Sequence, residues 1–293
     1  NRYIKNMTRN TKQLGICAKL NQLFQDNNIS IHFFKGLSLS KILYHDIALR
    51  NNNDIDVLIS KSDLGQANRI LNSMGFYAHE FDALDNEWRN AYFKVHKDIG
   101  YTNQEGVLIE LHLELSIPII AEMSIYQKEL QYRDKLFQTT LSSDELFYLC
   151  WHGSHSLFHR LKWLIDLKLY CEKLEKKIDD SSYFSGNSRR NVVCSLYLLA
   201  KLYKTPLSEK VISFYKKDWL CRMMIKTCLQ GMENPAYVNS GSFAIKRHIF
   251  EIFAFKSNTY KFSMLLCKLH PTILDYRSVN YLSPRWLFLI YPL

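Results

Sequence analysis

The stretch Arg50-Asn-Asn-Asn-Asp54-Ile-Asp56-Val-Leu-Ile59 decides how this chain is read. Val57, Leu58 and Ile59 mark an extended segment, and along a strand successive side chains alternate between faces. Asp54 and Asp56 therefore share one face. Two carboxylates held side by side repel unless a cation lies between them. Hard divalent cations such as Mg²⁺ take carboxylate oxygens and leave room for substrate phosphates. The pair points to a metal-dependent phosphoryl or nucleotidyl transferase. A lone Asp-x-Asp is more often a solvated turn or strand edge, so the neighbouring residues carry the decision.

Upstream, the β-prone run Ile29 to Phe34 stops at Lys35-Gly36, and helical spacing resumes from Leu37 to Tyr44. A glycine at a strand-to-helix turn lets the backbone approach a ligand, and the helix start directs N–H groups toward an anion. Lys35 offers a point charge to a phosphate and Arg50 a planar fork. Taken alone, Lys35-Gly36 is more often a turn glycine beside a surface lysine. Downstream, Val107 to Leu115 reads as a strand with Glu110, His112 and Glu114 on one face and Ile109, Leu111, Leu113 and Leu115 on the other. Glu110 is the expected third carboxylate, and Glu114 competes for that place.

Other elements follow from local pattern. Leu14, Ile16, Cys17, Leu20, Leu23 and Phe24 predict an amphipathic helix over Thr11 to Asp26. Ser60 and Asp63 resemble a capping box opening a helix that runs to Met74 and ends at Gly75. Phe76 to Phe81 and Ala91 to Ile99 read as extended. Helices are expected from Ser142 to Phe158 and from Leu161 to Leu174, with mostly helical sequence beyond. The expected architecture is α+β: a module with a small mixed sheet over residues 1–120, then an α-helical domain over 121–293.

Composition bounds the rest. The chain has 293 residues, 47% hydrophobic and 14% aromatic, enough for two domains with substantial cores. Its seven cysteines form no Cys-x-x-Cys pair, which argues against a disulfide framework or a zinc ribbon and for reduced thiols in the cytoplasm. No apolar run reaches the length of a membrane span; the tail Trp286 to Leu293 is too short. From Phe184 onward 16 Lys+Arg face 5 Asp+Glu, so the whole excess of +10 lies in the C-terminal part. Such a surface suits a polyanion or an acidic partner, although dispersed charges also read as a solvated helical face.

The ordered set Lys35-Gly-x-x-Leu39, Tyr44, Arg50, Asp54-Ile-Asp56-Val-Leu, Leu64, Ala67, Leu71, Gly75-Phe76 and Ile109-Glu-Leu-His112 resembles the uncharacterised bacterial nucleotidyltransferase family of the polymerase-β superfamily. The run His152-Gly-Ser-His-Ser-Leu-Phe-His-Arg160-Leu-Lys-Trp-Leu-Ile-Asp166 is similar to that family's second signature. Two departures stand out. The superfamily's Gly-Ser turn is Lys35-Gly36 here, with Ser38 two residues on, and the second histidine of the later signature is Ser156.

The resemblance implies a polymerase-β-type N-terminal domain that moves a nucleotidyl group from a nucleoside triphosphate, AMP from ATP foremost, onto a peptide or small metabolite. It implies Asp54, Asp56 and Glu110 as catalytic ligands of Mg²⁺, with Mn²⁺ as the alternative ion. Lys35, Gly36, Ser38, Arg50 and His152 would contact the nucleotide, with Arg160 and Asp166 also in the cleft, and the basic helical half would bind the acceptor. Competing readings are a non-catalytic nucleotide- or peptide-binding module and an RNA-directed transferase. His152, His155 and His159 share one helical face at a spacing that suits zinc, but lack a Cys or carboxylate partner. Lys162 and Asp166 read as a surface i, i+4 pair.

Overall fold

Four short strands form a mixed sheet in the order β1-β2-β4-β3: β1 (His32–Phe33), β2 (Asp54–Leu58), β3 (Asp98–Thr102) and β4 (Leu108–His112). The structure is a computed structural model and describes residues 1–115, 143–174, 184, 186–270, 272, 283, 284 and 286. The expected boundary between residues 120 and 121, the helix start at Ser142 and the tail beyond Trp286 lie outside the described residues.

β1 runs antiparallel to β2, β2 parallel to β4, and β3 antiparallel to β4. Register decides which side chains share a face. Phe33, Val57, Leu111 and Ile99 form one transverse row, and Ile55, Ile109 and Tyr101 form the next. These rows are buried, and helices α1 (Arg2–Asp26) and α3 (Leu64–Ser73) add Cys17, Leu20, Phe24, Ala67, Ile70 and Leu71 to the same apolar cluster. Each such side chain contributes about 1.5–3 kcal/mol by leaving water. The opposite face carries Asp54, Asp56, Glu110, His112 and Asp98.

The chain belongs to the α+β class as expected, with helices following the sheet. Three local expectations change. The first helix starts at Arg2, because Asn1 caps it by accepting from the Tyr3 N–H. Ser60 precedes a 3₁₀ turn at Lys61–Asp63 instead of boxing a helix; its hydroxyl meets Ser62 Oγ at 2.8 Å, and α3 begins at Leu64. The segments expected as strands at Phe76–Phe81 and Ala91–Ile99 are extended only in part: Tyr77 bridges Thr102 and Asp98–Ile99 open β3, while α4 (His79–Asp82) and α5 (Asn86–Val95) take up much of the rest. Aromatic residues made both look β-prone. The Asp85 carboxylate accepts from the Trp88 N–H, and the burial of Trp88 and Ala91 three residues apart secures α5.

The chain divides into two compact units, Asn1–Thr139 with Leu266–Leu293, and Thr140–Leu265. In the second, α6 (Ser143–His155), α7 (Leu161–Lys173), α8 (Arg189–Tyr203), α9 (Glu209–Lys217), α10 (Trp219–Glu233), α11 (Pro235–Val238) and α12 (Gly241–Phe253) follow one another, and α13 (Asn258–Lys268) runs past its end. No helix among the described residues is long and apolar enough to cross a membrane.

Candidate active site

The polar face of the sheet is organised by a turn. Lys35 joins β1 to α2 (Gly36–Leu43) with φ 52° and ψ −137°, and Gly36 has φ +29°. A β-carbon on Gly36 would stand 3.4 Å from the Asp54 carbonyl oxygen and 3.9 Å from Asp56 Oδ2, so the turn lies directly against β2. A non-glycine residue in Lys35's conformation is strained, and such strain persists only where the surroundings enforce it.

Those surroundings are buried polar groups. Arg50 is 5% exposed, and its guanidinium donates to the Gly36 carbonyl at 3.2 Å and to Asn52 Oδ1. Asn52 donates onward to Ser40 Oγ at 2.9 Å, and Ser40 Oγ donates back to the Gly36 carbonyl at 3.2 Å. From α1, Asn10 donates to the carbonyls of Ile47 and Arg50, and Arg9 donates to Asn51 Oδ1. The residue expected to grip a triphosphate thus holds the turn.

The turn aims Lys35 Nζ at Asp56 Oδ1, 2.5 Å away. Asp56 is buried and lies opposite Glu110 in the parallel β2–β4 register. His112, fully buried, places Nε2 3.2 Å from Asp56 Oδ1 and 3.5 Å from Glu110 Oε2, while its Nδ1 is 3.5 Å from Asp98 Oδ2. Lys97 Nζ closes the row at 2.8 Å from Asp98. Burial pushes the Asp56 carboxyl up, but the Lys35 ammonium and the His112 hydrogen bond outweigh it and hold the group well below the usual carboxylate range. Burial likewise opposes ionisation of Asp98, and Lys97 with His112 brings it below its ordinary value.

Asp56, Glu110 and His112 each present one ligand atom within 4.8 Å of the others. That is a donor set for a divalent cation, and the Lys35 ammonium already stands as a positive charge against Asp56. Asp54 heads β2 on the same face, one residue pair along, opposite Leu108. Glu114 falls beyond the end of β4, which favours Glu110 between the two. Ser38 is 1% exposed, and its hydroxyl has no hydrogen-bond partner among the described residues; with Asp56, Phe34 and Leu37 it lines a small cavity.

His152, Arg160 and Asp166 belong to the second unit. His152 meets Trp163 edge-on at 5.1 Å and lies parallel to Tyr148. His155 faces Glu251 at 3.6 Å, and His159 Nδ1 meets the Ser156 carbonyl at 2.8 Å, so these two histidines have local partners. Asp166 is 1% exposed, so it lies in the interior of this unit and not on its surface. The conspicuous part of this signature is structural. After α6 the chain turns through Leu157 and Phe158 at positive φ, and the Phe158 N–H donates to the Gly153 carbonyl at 2.8 Å. The Phe158 ring then occupies the space that a β-carbon on Gly153 would need, 2.1 Å from it.

His112, Asp98 and Lys97 were not singled out as site residues from sequence. Alternation along Glu110, His112 and Glu114 was the available signal for His112. Asp98 had none, because its place depends on the β3–β4 register.

Comparison with known proteins agrees with the nucleotidyltransferase part of the motif reading. The model of a family described as "Uncharacterised nucleotidyltransferase" matches residues 1–208, which takes in the whole sheet and α1 to α8. No curated protein and no solved structure matches the chain.

Proposed function

We propose that this chain, which belongs to the uncharacterised nucleotidyltransferase family, is a divalent-cation-dependent enzyme that transfers a nucleotidyl group from a nucleoside triphosphate, ATP foremost, to an acceptor hydroxyl. The observation that carries the reading is the meeting of Asp56, Glu110 and His112 beside the strained Lys35-Gly36 turn. The polymerase-β-type arrangement of an Asp-x-Asp strand with a third carboxylate on its neighbour fits this site.

Asp56 and Glu110 would hold Mg²⁺ or Mn²⁺, joined by Asp54 from the head of β2, since hard cations favour carboxylate oxygen. When bound, the ion neutralises charge on the triphosphate and on the attacking and leaving oxygens. His112 hydrogen-bonds Asp56 and fixes the direction of its carboxylate. Lys35, paired with Asp56 in this structure, would offer its ammonium to the phosphates, and the start of α2 would add N–H groups and a favourable dipole. Arg50 acts through the turn it secures. The protein thus supplies position and preformed charge, which account for most of the catalysis in reactions of this kind.

The test is incubation of the full chain with a small-molecule and peptide extract, Mg²⁺, and ATP labelled at the α- or the γ-phosphate. Label should pass to an extract component from the α position only, and Asp56→Asn should abolish it. Transfer from the γ position, or equal labelling by Asp56→Asn, would replace this reading.

A further inference from the structure

On the same face of the sheet, next to Glu110 but outside the residues assigned so far, lies a cleft of about 340 Å³. That volume is within the range of small-molecule sites. Its floor is Gly100 and Thr102 of β3 with Leu108 of β4, and Gly100 is the register partner of Glu110. Its walls are aromatic: Tyr77 and His79 on one side, and Tyr92 stacked on His96 at 4.1 Å on the other. The Tyr92 hydroxyl donates to the Asp98 carbonyl at 2.8 Å, which ties that wall to β3. His96 Nε2 is buried and has no hydrogen-bond partner among the described residues. The cleft has aromatic faces and a spare polar atom, the features that hold a ring and orient it.

Its position separates two uses. In the strand order β1-β2-β4-β3 the Lys35-Gly36 turn follows β1, and the cleft lies over β3. Asp56 and Glu110 stand between them, and a ring on Gly100 is one strand spacing, about 5 Å, from Glu110. A nucleotide whose phosphates lie at the turn is therefore met from the opposite side by whatever fills the cleft. In-line displacement at phosphorus requires that opposition of attacking and leaving oxygens. Among the described lining residues none is Lys or Arg, and Glu80 is present. A phosphate-rich polymer gains nothing there.

We propose that the cleft seats the acceptor, and that the acceptor is a small, neutral or cationic alcohol or phenol carried on an aromatic ring. The assignment rests on the nucleotidyltransferase reading above. The acceptor oxygen bonds to the α-phosphorus as the bond from that phosphorus to the bridging oxygen breaks. Pyrophosphate leaves toward Lys35, and the acceptor's proton passes to solvent.

Tyramine serves as the probe, followed by saturation-transfer NMR on the full chain, with ethanolamine as the ring-free control. Gly100→Val is the blocking variant: a β-carbon there makes only an ordinary 3.5 Å contact with Leu108, and valine suits a strand. Tyramine should bind wild type and Asp56→Asn alike, survive saturating Mg²⁺ and a non-hydrolysable ATP analogue, and weaken at least tenfold in Gly100→Val; ethanolamine should not bind. Displacement by the ATP analogue would make the cleft the nucleobase seat and overturn the proposal, as would absent tyramine binding or binding indifferent to Gly100→Val. Because the probe needs no turnover, these outcomes stand apart from the Asp56→Asn labelling test of the reaction itself.

Discussion

Lys35 Nζ lies 2.5 Å from Asp56 Oδ1, and it reaches that position from a backbone conformation that L-residues rarely adopt. The strain and the ion pair belong together: the turn is bent so that the ammonium meets the central carboxylate. Replacing Lys35 separates the two contributions. Lys35→Ala and Lys35→Gly both lose the charge, and both should lower affinity for a nucleoside triphosphate at least tenfold. Glycine removes the steric penalty, about 1–2 kcal/mol. Lys35→Gly should therefore be more stable than Lys35→Ala by that amount in urea unfolding.

Acid sensitivity should report Asp56. Its folded carboxyl titrates below the ordinary value, so it contributes stability above the unfolded pKa of about 3.9. That contribution is lost as pH falls below this point toward the folded value. The stability gap between wild type and Asp56→Asn should be full from pH 7 down to about pH 5 and narrow steadily below about pH 4. Denaturant melts across that range read it directly, and a gap that widens toward acid would contradict the assignment.

Arg50 offers a choice between two roles with different readouts. Its guanidinium is buried and bonded to Gly36 and Asn52. Truncation takes the Arg50 donor from Asn52 Oδ1 and one of the donors from the Gly36 carbonyl, and so loosens the turn; Arg50→Ala should destabilise the fold by about 2–4 kcal/mol. A residue that merely gripped phosphate would instead raise KM and leave the unfolding midpoint where it was.

In the helical unit, Gly153→Ala should be among the most damaging small substitutions. The Phe158 ring is fully buried and occupies the position a methyl would take. Overpacking of this kind costs about 1–3 kcal/mol or more, visible as a lowered Tm. Gly65, where a β-carbon meets nothing within 4 Å, is the control expected to tolerate alanine.

Much of this was legible in sequence, for identifiable reasons. Alternation in Asp54-Ile-Asp56 and in Ile109-Glu110-Leu111-His112 assigned both strands and their polar faces, because period two is a local property. The register that sets Asp56 against Glu110 was not legible, since a parallel pairing across 53 intervening residues leaves no local trace. The partners of Arg50 were not legible either: its guanidinium donates to the Gly36 carbonyl and to Asn52 Oδ1, contacts that only the tertiary fold creates. Tyr92 and Phe93 suggested a strand, and the cap at Asp85 with the burial of Trp88 made a helix. The aromatic cleft followed that helix out of view.

The central claim is that Asp56 and Glu110 carry the cation on which a nucleoside triphosphate binds. Its most direct test is titration of Mn²⁺ by electron paramagnetic resonance in the presence of a non-hydrolysable ATP analogue, with wild type, Asp56→Asn and Glu110→Gln compared. The account predicts a protein-bound Mn²⁺–nucleotide signal in wild type that weakens at least a hundredfold in Asp56→Asn and at least tenfold in Glu110→Gln. Equal Mn²⁺ affinity in all three proteins would contradict it.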